Sequence, residues 1–275
     1  MHKLSNPETM STPPDYFDIN KQSWNSRVDS HLKSDFYDMK GFMAGKSSLN
    51  GFELELLGDV RGKKILHLQC HFGQDTLSLA RMGAIVTGID LSDKAIETAN
   101  NLASELQLDA RFICCNIFDL PEVLDETFDI VFTSYGTICW LPDLAPWAKL
   151  IAAFLQPQGK FVFAEFHPVV WMFDNKFQSI GYNYFNVEPI FEEESGTYAD
   201  RDADLKLQSV CWNHSMADVI TNLLQNGLEI TALKEYDYSP YDCFDETIQF
   251  EPGKYRIKHL DNKIPMVYTV QAIKK

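Results

Sequence analysis

The sequence predicts an α/β fold built on a doubly wound, mostly parallel β-sheet. Short apolar strands alternate with amphipathic helices between about residues 59 and 168, and glycines or prolines separate most of these segments. Strands that alternate with helices in this way form parallel sheets that helices cover on both faces. With 275 residues, of which 45% are hydrophobic, the chain can bury the core of one large domain that carries an insertion.

Residues 1–58 are predicted to form an N-terminal helical cap, which begins with a loose leader over residues 1 to about 14. From Tyr16 to about Phe42, aromatic and apolar side chains recur at roughly helical intervals, and this pattern predicts one or two short helices. A further helix is expected from Phe52 up to Gly58.

Residues 59–168 are predicted to form the core of the fold. Its five strands are expected at Ile65–Leu68, Ala84–Asp90, Phe112–Cys115, Phe128–Thr133 and Phe161–Phe166. Helices are expected from about Gln74 to Met82, after the N-cap Ser92, and from Asp143 to about Leu155, where Pro157-Gln158-Gly159 ends the last one.

Residues 169–213 are rich in aromatic side chains and carry a turn at Ser195-Gly196, which predicts an antiparallel insertion that covers a substrate. Residues 214–275 are expected to complete the core sheet. This last region contains a helix after Ser215, a strand at Leu228–Tyr236, a loop from Asp237 to about Lys263 and a closing strand at Met266–Ile273.

Composition excludes several classes of partner. The formal net charge of −15 opposes binding to nucleic acid and to anionic membrane surfaces. No apolar run approaches the roughly 20 residues that span a bilayer. The six cysteines have no CxxC spacing and are expected to be free thiols, which fits the cytoplasm. The spacing of His71, His167 and His214 matches no familiar metal-ligand pattern, so no metal is expected.

The loop after the first strand indicates the ligand. In KILHLQCHFGQDT, Gln69 and His71 stand where a dinucleotide-binding loop has glycines, and only Gly73 is kept. A side chain at position 71 obstructs a pyrophosphate but leaves room for the amino-acid tail of S-adenosylmethionine. We therefore expect Gln69, Cys70, His71 and Gly73 to contact this cofactor, although Cys70 also fits a small buried apolar position.

The next strand ends supply further candidate contacts. Asp90 lies 21 residues after Gln69 and, with Leu91, is placed to bind a ribose. Asn116 and Ile117 are expected to bind and cover an adenine, and Ser134 and Tyr135 to lie near the sulfonium. Three alternatives remain open: Asp90 as a helix cap, Asn116 as a turn former, and Asp119 as a second adenine contact.

Four segments carry a resemblance to a known family: ILHLQCHFGQDTLSLA, VTGIDLS, FICCNIFDLP and FDIVFTSYG. From about Lys63 to Pro168 the chain resembles the class I S-adenosylmethionine-dependent methyltransferases. In particular it looks like a bacterial small-molecule group in which LQCHFGQDT replaces the usual glycine-rich loop. The resemblance implies a seven-stranded, Rossmann-like methyltransferase sheet whose sixth and seventh strands form a hairpin, with the last strand antiparallel. The family commonly has an acidic residue where this chain has Asn116.

The expected activity is in-line transfer of a methyl group to an O, N or C nucleophile of a small molecule. His167 is the candidate general base, because an imidazole titrates near neutral pH. Tyr135, Trp140 and Trp171 are candidate substrate-binding residues, and Trp24 belongs either to a packing helix or to a lid. We expect a monomer or homodimer. The alternatives are an NAD(P)-dependent oxidoreductase and a non-catalytic adenosyl-binding module.

Overall fold

The computed structural model describes residues 15–275. The predicted leader, residues 1 to about 14, lies outside the described residues. The α-helices are α1 (Tyr16–Lys33), α2 (Met39–Met43), α3 (Gly51–Leu57), α4 (Gln74–Arg81), α5 (Asp93–Glu105), α6 (Leu120–Val123), α7 (Leu144–Phe154) and α8 (Met216–Gln225). The strands are β1 (Lys64–His67), β2 (Ile85–Asp90), β3 (Ala110–Cys114), β4 (Phe128–Ser134), β5 (Leu155–Phe166), β6 (Ile190–Ser195), β7 (Lys206–Cys211), β8 (Leu228–Tyr236), β9 (Thr247–Glu251), β10 (Lys254–Ile257) and β11 (Val267–Lys274).

The central sheet has seven strands in the order β3-β2-β1-β4-β5-β11-β8. Strands β1 to β5 pair in parallel, whereas β11 runs antiparallel to both of its neighbours, β5 and β8. The predicted doubly wound sheet, with its antiparallel last strand, is confirmed. The strand order reverses at β1, which places the β1 and β4 carboxyl ends beside a crevice where ligands bind in such sheets.

Apolar side chains cover both faces of the sheet. On one face, α7 packs Trp147 against Phe161 and Phe163 of β5, with ring centroids 5.6 and 5.5 Å apart. On the other face, Leu57 of α3 and Leu79 of α4 join one buried cluster with Ile65, Phe132 and Val162. Burying apolar area on both faces explains why these strands are nearly continuous runs of hydrophobic residues.

The helix α1 is a single element of 18 residues, longer than the one or two short helices predicted. It lies over the carboxyl ends of β2 and β3, because Asn25 accepts a hydrogen bond from Ser92 Oγ at 2.6 Å and Lys21 pairs with Asp93 at 3.0 Å. The same helix also contacts the insertion. Asn20 exchanges two hydrogen bonds, of 2.8 and 2.9 Å, with the backbone of Val210 in β7.

The structure corrects two predicted boundaries. Pro157-Gln158-Gly159 does not separate α7 from a strand, because β5 already begins at Leu155. A register shift between Phe128 and Ile130 of β4 accommodates the irregular start. The predicted loop from Asp237 to Lys263 contains the antiparallel hairpin β9–β10, which turns at Pro252-Gly253. The insertion forms the antiparallel pair β6–β7, as predicted.

Within residues 15–275, no helix is long and apolar enough to cross a membrane.

Gly73, the glycine that the β1 loop keeps, permits a close contact between elements. Its φ is +80°, and a Cβ at this position would lie 2.7 Å from the ring of Phe112 in β3. Phe112 is partly buried and packs against a cluster of buried side chains, which restricts the retreat of the ring. The glycine therefore lets the first turn of α4 approach β3.

We expect Gly73→Ala to lower the free energy of unfolding by about 2–4 kcal/mol, through a strained backbone and an overpacked contact. Urea unfolding followed by circular dichroism measures the change. The control is Gly51→Ala at the exposed start of α3, where nothing lies within 4 Å of the added Cβ. Equal unfolding midpoints for the two variants would contradict this account of Gly73.

Candidate functional site

A cavity of about 1040 Å³ opens at the carboxyl ends of the central strands. Its walls come from the loops that follow β1, β2, β3 and β4, from α1, and from the insertion. This volume is at the upper end of the range for small-molecule sites, so the cavity has room for two ligands side by side.

The loop after β1 follows a path that glycines normally provide. Gln69 and His71 have φ values of +53° and +50°, in the left-handed region. The neighbouring strands hold this strained path, since Leu68 N–H donates to Phe132 O at 2.9 Å and Cys70 N–H to Ile89 O at 2.8 Å. The side chain of Gln69 donates to Thr137 O at 2.8 Å, away from the loop backbone. Cys70 points into the core and is 5% exposed.

The imidazole of His71 forms part of the wall between the cavity and α1. One of its ring nitrogens, Nε2, lies 2.9 Å from His31 Nδ1, and its ring centroid lies 5.1 Å from that of Trp24. Burial and the nearby His31 and Arg27 lower the pKa of His71 well below its usual value. Both histidines are therefore neutral at pH 7, and they link the β1 loop to the helix above it.

Asp90 stands at the end of β2 with its carboxylate in the cavity wall. Its oxygens accept hydrogen bonds from His71 N–H at 2.8 Å and Ser92 N–H at 2.9 Å. Burial raises the pKa of Asp90 to about 6, although these donors favour the ionised form. The N-cap of α5 is Ser92, whose hydroxyl accepts from Ala95 N–H at 3.0 Å. Asp90 is thus not the capping residue and keeps acceptor capacity for a ligand.

At the end of β3, Asn116 and Ile117 line the cavity. The side-chain oxygen of Asn116 accepts a hydrogen bond from Phe118 N–H at 3.0 Å and caps a short 3₁₀ helix. Asn116 therefore stabilises the turn after β3, which was one of the alternatives for this residue. Ile117 is 5% exposed and offers an apolar surface. Asp119 is exposed and does not line the cavity, which removes it as an adenine contact.

A buried carboxylate holds the loop after β4 in place. Glu165 of β5 is 2% exposed and accepts hydrogen bonds from the backbone N–H groups of Gly136, Thr137 and Phe166 at 2.5, 2.8 and 2.6 Å. Three N–H donors compensate the buried charge. This positioning residue was not predicted, although a Glu inside the apolar run Phe161–Phe166 is a usable sequence signal.

The predicted aromatic residues line the cavity at two separate places. Trp140 lies beneath α1, donating its indole N–H to Gly136 O at 2.6 Å and meeting Trp24 edge-on at 5.5 Å. Tyr135 and Trp171 lie at the other end, beside Phe166 and Phe244. Ser134, also at that end, donates to Asp75 at 3.3 Å.

His167 does not reach the cavity, which corrects its prediction as the general base. The side chain is 4% exposed, and both ring nitrogens are engaged. Nε2 lies 2.8 Å from Glu235 Oε1 of β8, and Nδ1 accepts from Val169 N–H at 3.2 Å. Burial lowers the pKa of the ring despite Glu235. His167 is absent from the cavity lining, although Phe166 before it and Val170 after it line the cavity.

Several ionisable side chains of the site were missed in the sequence. Arg27 of α1 is 3% exposed, pairs with Glu194 at 3.1 Å, and has two guanidinium nitrogens without partners among the described residues. Asp75 and Glu53, from the first turns of α4 and α3, lie near Tyr135 and Tyr241. Nothing in the spacing of these residues brings them together, since they meet only through the tertiary fold.

No group of three or more potential metal ligands forms among residues 15–275.

Sequence comparison relates this chain to enzymes that transfer methyl groups. A family model described as a methyltransferase domain matches residues 66–163. A ubiquinone biosynthesis O-methyltransferase from Coxiella burnetii (strain Dugway 5J108-111) is 32% identical over 138 residues, which cover 49% of this chain and 58% of the relative. A protein of the same name from Neisseria meningitidis serogroup C is 30% identical with the same coverage. The chain thus spans little more than half the length of these relatives.

Solved structures agree on the fold. An S-adenosylmethionine-dependent methyltransferase from Mesorhizobium loti is 19% identical with a TM-score of 0.57, over 84% of this chain and all of that one. The geranyl diphosphate C-methyltransferase of Streptomyces coelicolor, solved with S-adenosyl-L-homocysteine, is 16% identical with a TM-score of 0.60. That match covers 97% of this chain and 100% of that one. At this level of identity the likeness establishes the fold alone.

Glu53 provides a test of the site's electrostatics. Burial raises its pKa from 4.5 to about 7, so the ionised form is penalised in the folded state. The folded protein then binds more protons than the unfolded chain between these values, and stability falls as the pH rises through this window. From pH 5 to pH 8 we expect the wild type to lose about 2 kcal/mol relative to Glu53→Gln.

Urea unfolding at the two pH values measures this loss. The control is Glu55→Gln in the same helix, because the Glu55 side chain is 61% exposed. If the free energy of unfolding changed equally with pH in the wild type and in Glu53→Gln, the pKa of Glu53 would not be raised in the folded protein.

Proposed function

We propose that this chain contains a class I S-adenosylmethionine-dependent methyltransferase domain, and that the whole protein transfers a methyl group from that cofactor to a small molecule. The observation that carries the proposal is the convergence of Asp90, Ile117, Tyr135 and the β1 loop on one cavity. When bound, the cofactor supplies a methyl group activated on a positively charged sulfur.

We place the cofactor along the carboxyl edge of the sheet. Strands lie about 4.8 Å apart, so the ends of β3, β2, β1 and β4 form a row roughly 14 Å long. In this arrangement Ile117 covers the adenine, Asp90 and Leu91 hold the ribose, and the backbone at Gln69, Cys70 and His71 runs beside the methionine tail. Ser134 and Tyr135 then lie near the methyl group.

The fit of an adenosyl cofactor rests on Asp90 and on the β1 loop. The Asp90 carboxylate accepts hydrogen bonds from the backbone N–H groups of His71 and Ser92, and it keeps lone pairs that can accept ribose hydroxyls. The imidazole of His71 fills the space above the loop backbone beneath Trp24. An amino-acid tail tolerates this side chain, whereas the pyrophosphate of NAD needs the bare backbone of a glycine.

The helix α1 closes the cofactor half of the cavity. Trp24 and Trp140 meet edge to face, and the guanidinium of Arg27 lies 5.0 Å from the Trp24 ring. We propose that these side chains exclude water from the reacting atoms, which an in-line displacement requires. Tyr135 and Trp171 then face the acceptor in the other half.

We further propose that the protein works in the cytoplasm as a monomer or homodimer and does not act on nucleic acid. The net charge of −15 supports the last point, since phosphate backbones would be repelled. The cysteines are free thiols in the structure, which agrees with a reducing compartment.

The cofactor assignment predicts selective stabilisation. At about one hundred times its Kd, S-adenosyl-L-homocysteine should raise the melting temperature by about 5 °C or more, because it binds only the folded state. NAD and NADP should produce no shift. Asp90→Ala should remove most of the effect, while Asp119→Ala outside the cavity should retain it. Differential scanning fluorimetry makes the comparison, and the proposal fails if the homocysteine compound has no effect on the wild type.

The pKa of Asp90 predicts a pH dependence of binding. The ionised carboxylate accepts the ribose hydroxyls, and it becomes protonated as the pH falls through about 6. Affinity for S-adenosyl-L-homocysteine should therefore drop by about tenfold between pH 7.5 and pH 5. Asp90→Asn should bind weakly with a flat profile. Isothermal titration calorimetry at the two pH values measures the affinities. The same change in affinity with pH in the wild type and in Asp90→Asn would contradict this role of Asp90.

A further inference from the structure

The proposed function leaves open which nucleophile accepts the methyl group. We propose that the acceptor is an amine, held as its ammonium ion by the carboxylate of Asp75 inside a box of tyrosine rings. This inference rests on the proposed function and identifies the acceptor class for the same cavity.

The carboxylate of Asp75 lines the cavity, and none of residues 15–275 supplies a cation partner for it. Its Oδ1 accepts from Ser48 Oγ at 2.6 Å and its Oδ2 from Ser134 Oγ at 3.3 Å, and both donors are neutral hydroxyls. No Lys, Arg or His of the described chain forms an ion pair with it. Each oxygen keeps a free lone pair, so the group can accept two further hydrogen bonds.

A second buried carboxyl group adds to the local negative charge. Glu53 is fully buried, and only its Oε1 has a partner among residues 15–275, the Asn50 amide at 3.3 Å. Two carboxyl groups so placed need either a proton or a cationic ligand, since an unpaired buried charge is strongly unfavourable. A cationic ligand in the cavity can meet this requirement at Asp75, which lines the cavity, whereas Glu53 is not among the lining residues.

Aromatic side chains line the cavity near the two carboxyl groups. Tyr135 and Tyr241 meet at 88° with centroids 5.2 Å apart, and Phe36 stacks on Tyr241 at 5.3 Å. The hydroxyl of Tyr241 is fixed by Asn50 at 2.7 Å, whereas that of Tyr135 has no partner in the described chain. Aromatic rings and a carboxylate together bind ammonium groups, through cation–π interactions and an ion pair.

The position of Asp75 suits an acceptor next to the transferred methyl group. Its partner Ser134 is the last residue of β4, beyond the strand ends assigned to the adenosine. The next strand, β5, ends at Phe166, where Tyr135, Trp171 and Phe244 begin the aromatic half of the cavity. An amine on Asp75 thus lies between the cofactor half and the acceptor half.

The carboxyl pair can also take the proton that the reaction releases. An ammonium gives one proton to Asp75, and the lone pair of the neutral amine forms a bond to the methyl carbon. The carbon–sulfur bond breaks with its electrons on sulfur, which leaves S-adenosyl-L-homocysteine and an N-methylammonium ion. The proton on Asp75 then passes to solvent, so the net products include one H⁺.

Burial supports this proton transfer at neutral pH. It raises the pKa of Asp75 and that of Glu53, the latter to about 7. The other titratable groups that face Asp75 are Cys70, Tyr37, Tyr135 and Tyr241, and burial raises all four pKa values well above their ordinary values. Those four groups are neutral at pH 7. A phenolate acceptor would be repelled here, whereas an ammonium is attracted.

The test uses the full protein saturated with S-adenosyl-L-homocysteine and matched pairs of probes. Benzylamine, 2-phenylethylamine and 3-phenylpropylamine are compared with benzyl alcohol, 2-phenylethanol and 3-phenylpropanol by isothermal titration calorimetry at pH 7. At least one amine should bind at least about tenfold more tightly than its alcohol. Asp75→Asn should abolish that preference and leave the affinity for S-adenosyl-L-homocysteine unchanged, and Asp119→Asn should alter neither.

The proposal is overturned if no amine binds or if amines and alcohols bind equally, and this comparison needs only the wild type. It is also overturned if Asp75→Asn weakens S-adenosyl-L-homocysteine instead, since the carboxylate would then serve the amino group of the cofactor. Failure of S-adenosyl-L-homocysteine to bind the wild type would reject the proposed function itself, so the two failures are distinguishable.

Discussion

The site depends on the hydrogen bond from His71 N–H to the carboxylate of Asp90. This 2.8 Å contact ties the loop after β1 to the end of β2 and fixes the left-handed backbone at His71. The same carboxylate holds Ser92 N–H, and Ser92 in turn binds Asn25 of α1. One side chain therefore sets the relative positions of two strand ends and the helix above them. A ligand that contacts Asp90 meets a wall that is already assembled, which reduces the ordering needed on binding.

The charged side chains of the cavity determine which ligands it favours. Asp75 and Asp90 line it with carboxyl groups, Glu53 lies buried nearby, and burial raises the pKa of all three. Arg27 of α1 carries the opposite charge in the lining, 5.0 Å from the Trp24 ring. A cavity that contains both carboxyl groups and a guanidinium favours ligands that carry positive and negative charges at separate positions. S-adenosylmethionine is such a ligand, because it has a positively charged sulfur and a zwitterionic amino-acid tail. A positively charged acceptor would neutralise the carboxylate of Asp75.

The parts of this site that the sequence predicted are those set by local pattern. Asp90, Ile117 and Tyr135 follow strands whose apolar runs are visible in the chain, and parallel topology brings such strand ends together. His167 also follows a strand, but its role depends on Glu235, which lies 68 residues away on β8. Sequence alone could not reveal that partner, nor that His167 lies outside the cavity lining. Asp75 and Glu53 come together because α3 packs against the sheet. The strands of the β9–β10 hairpin have only five and four residues, which made them hard to recognise in the sequence.

The most direct test of the central claim is a crystal structure of the protein with S-adenosyl-L-homocysteine. We expect both ribose hydroxyls within hydrogen-bonding distance of Asp90, the adenine against Ile117, and the amino-acid tail alongside the backbone of Cys70 and His71. A ligand bound elsewhere, or a ribose that does not contact Asp90, would contradict the account.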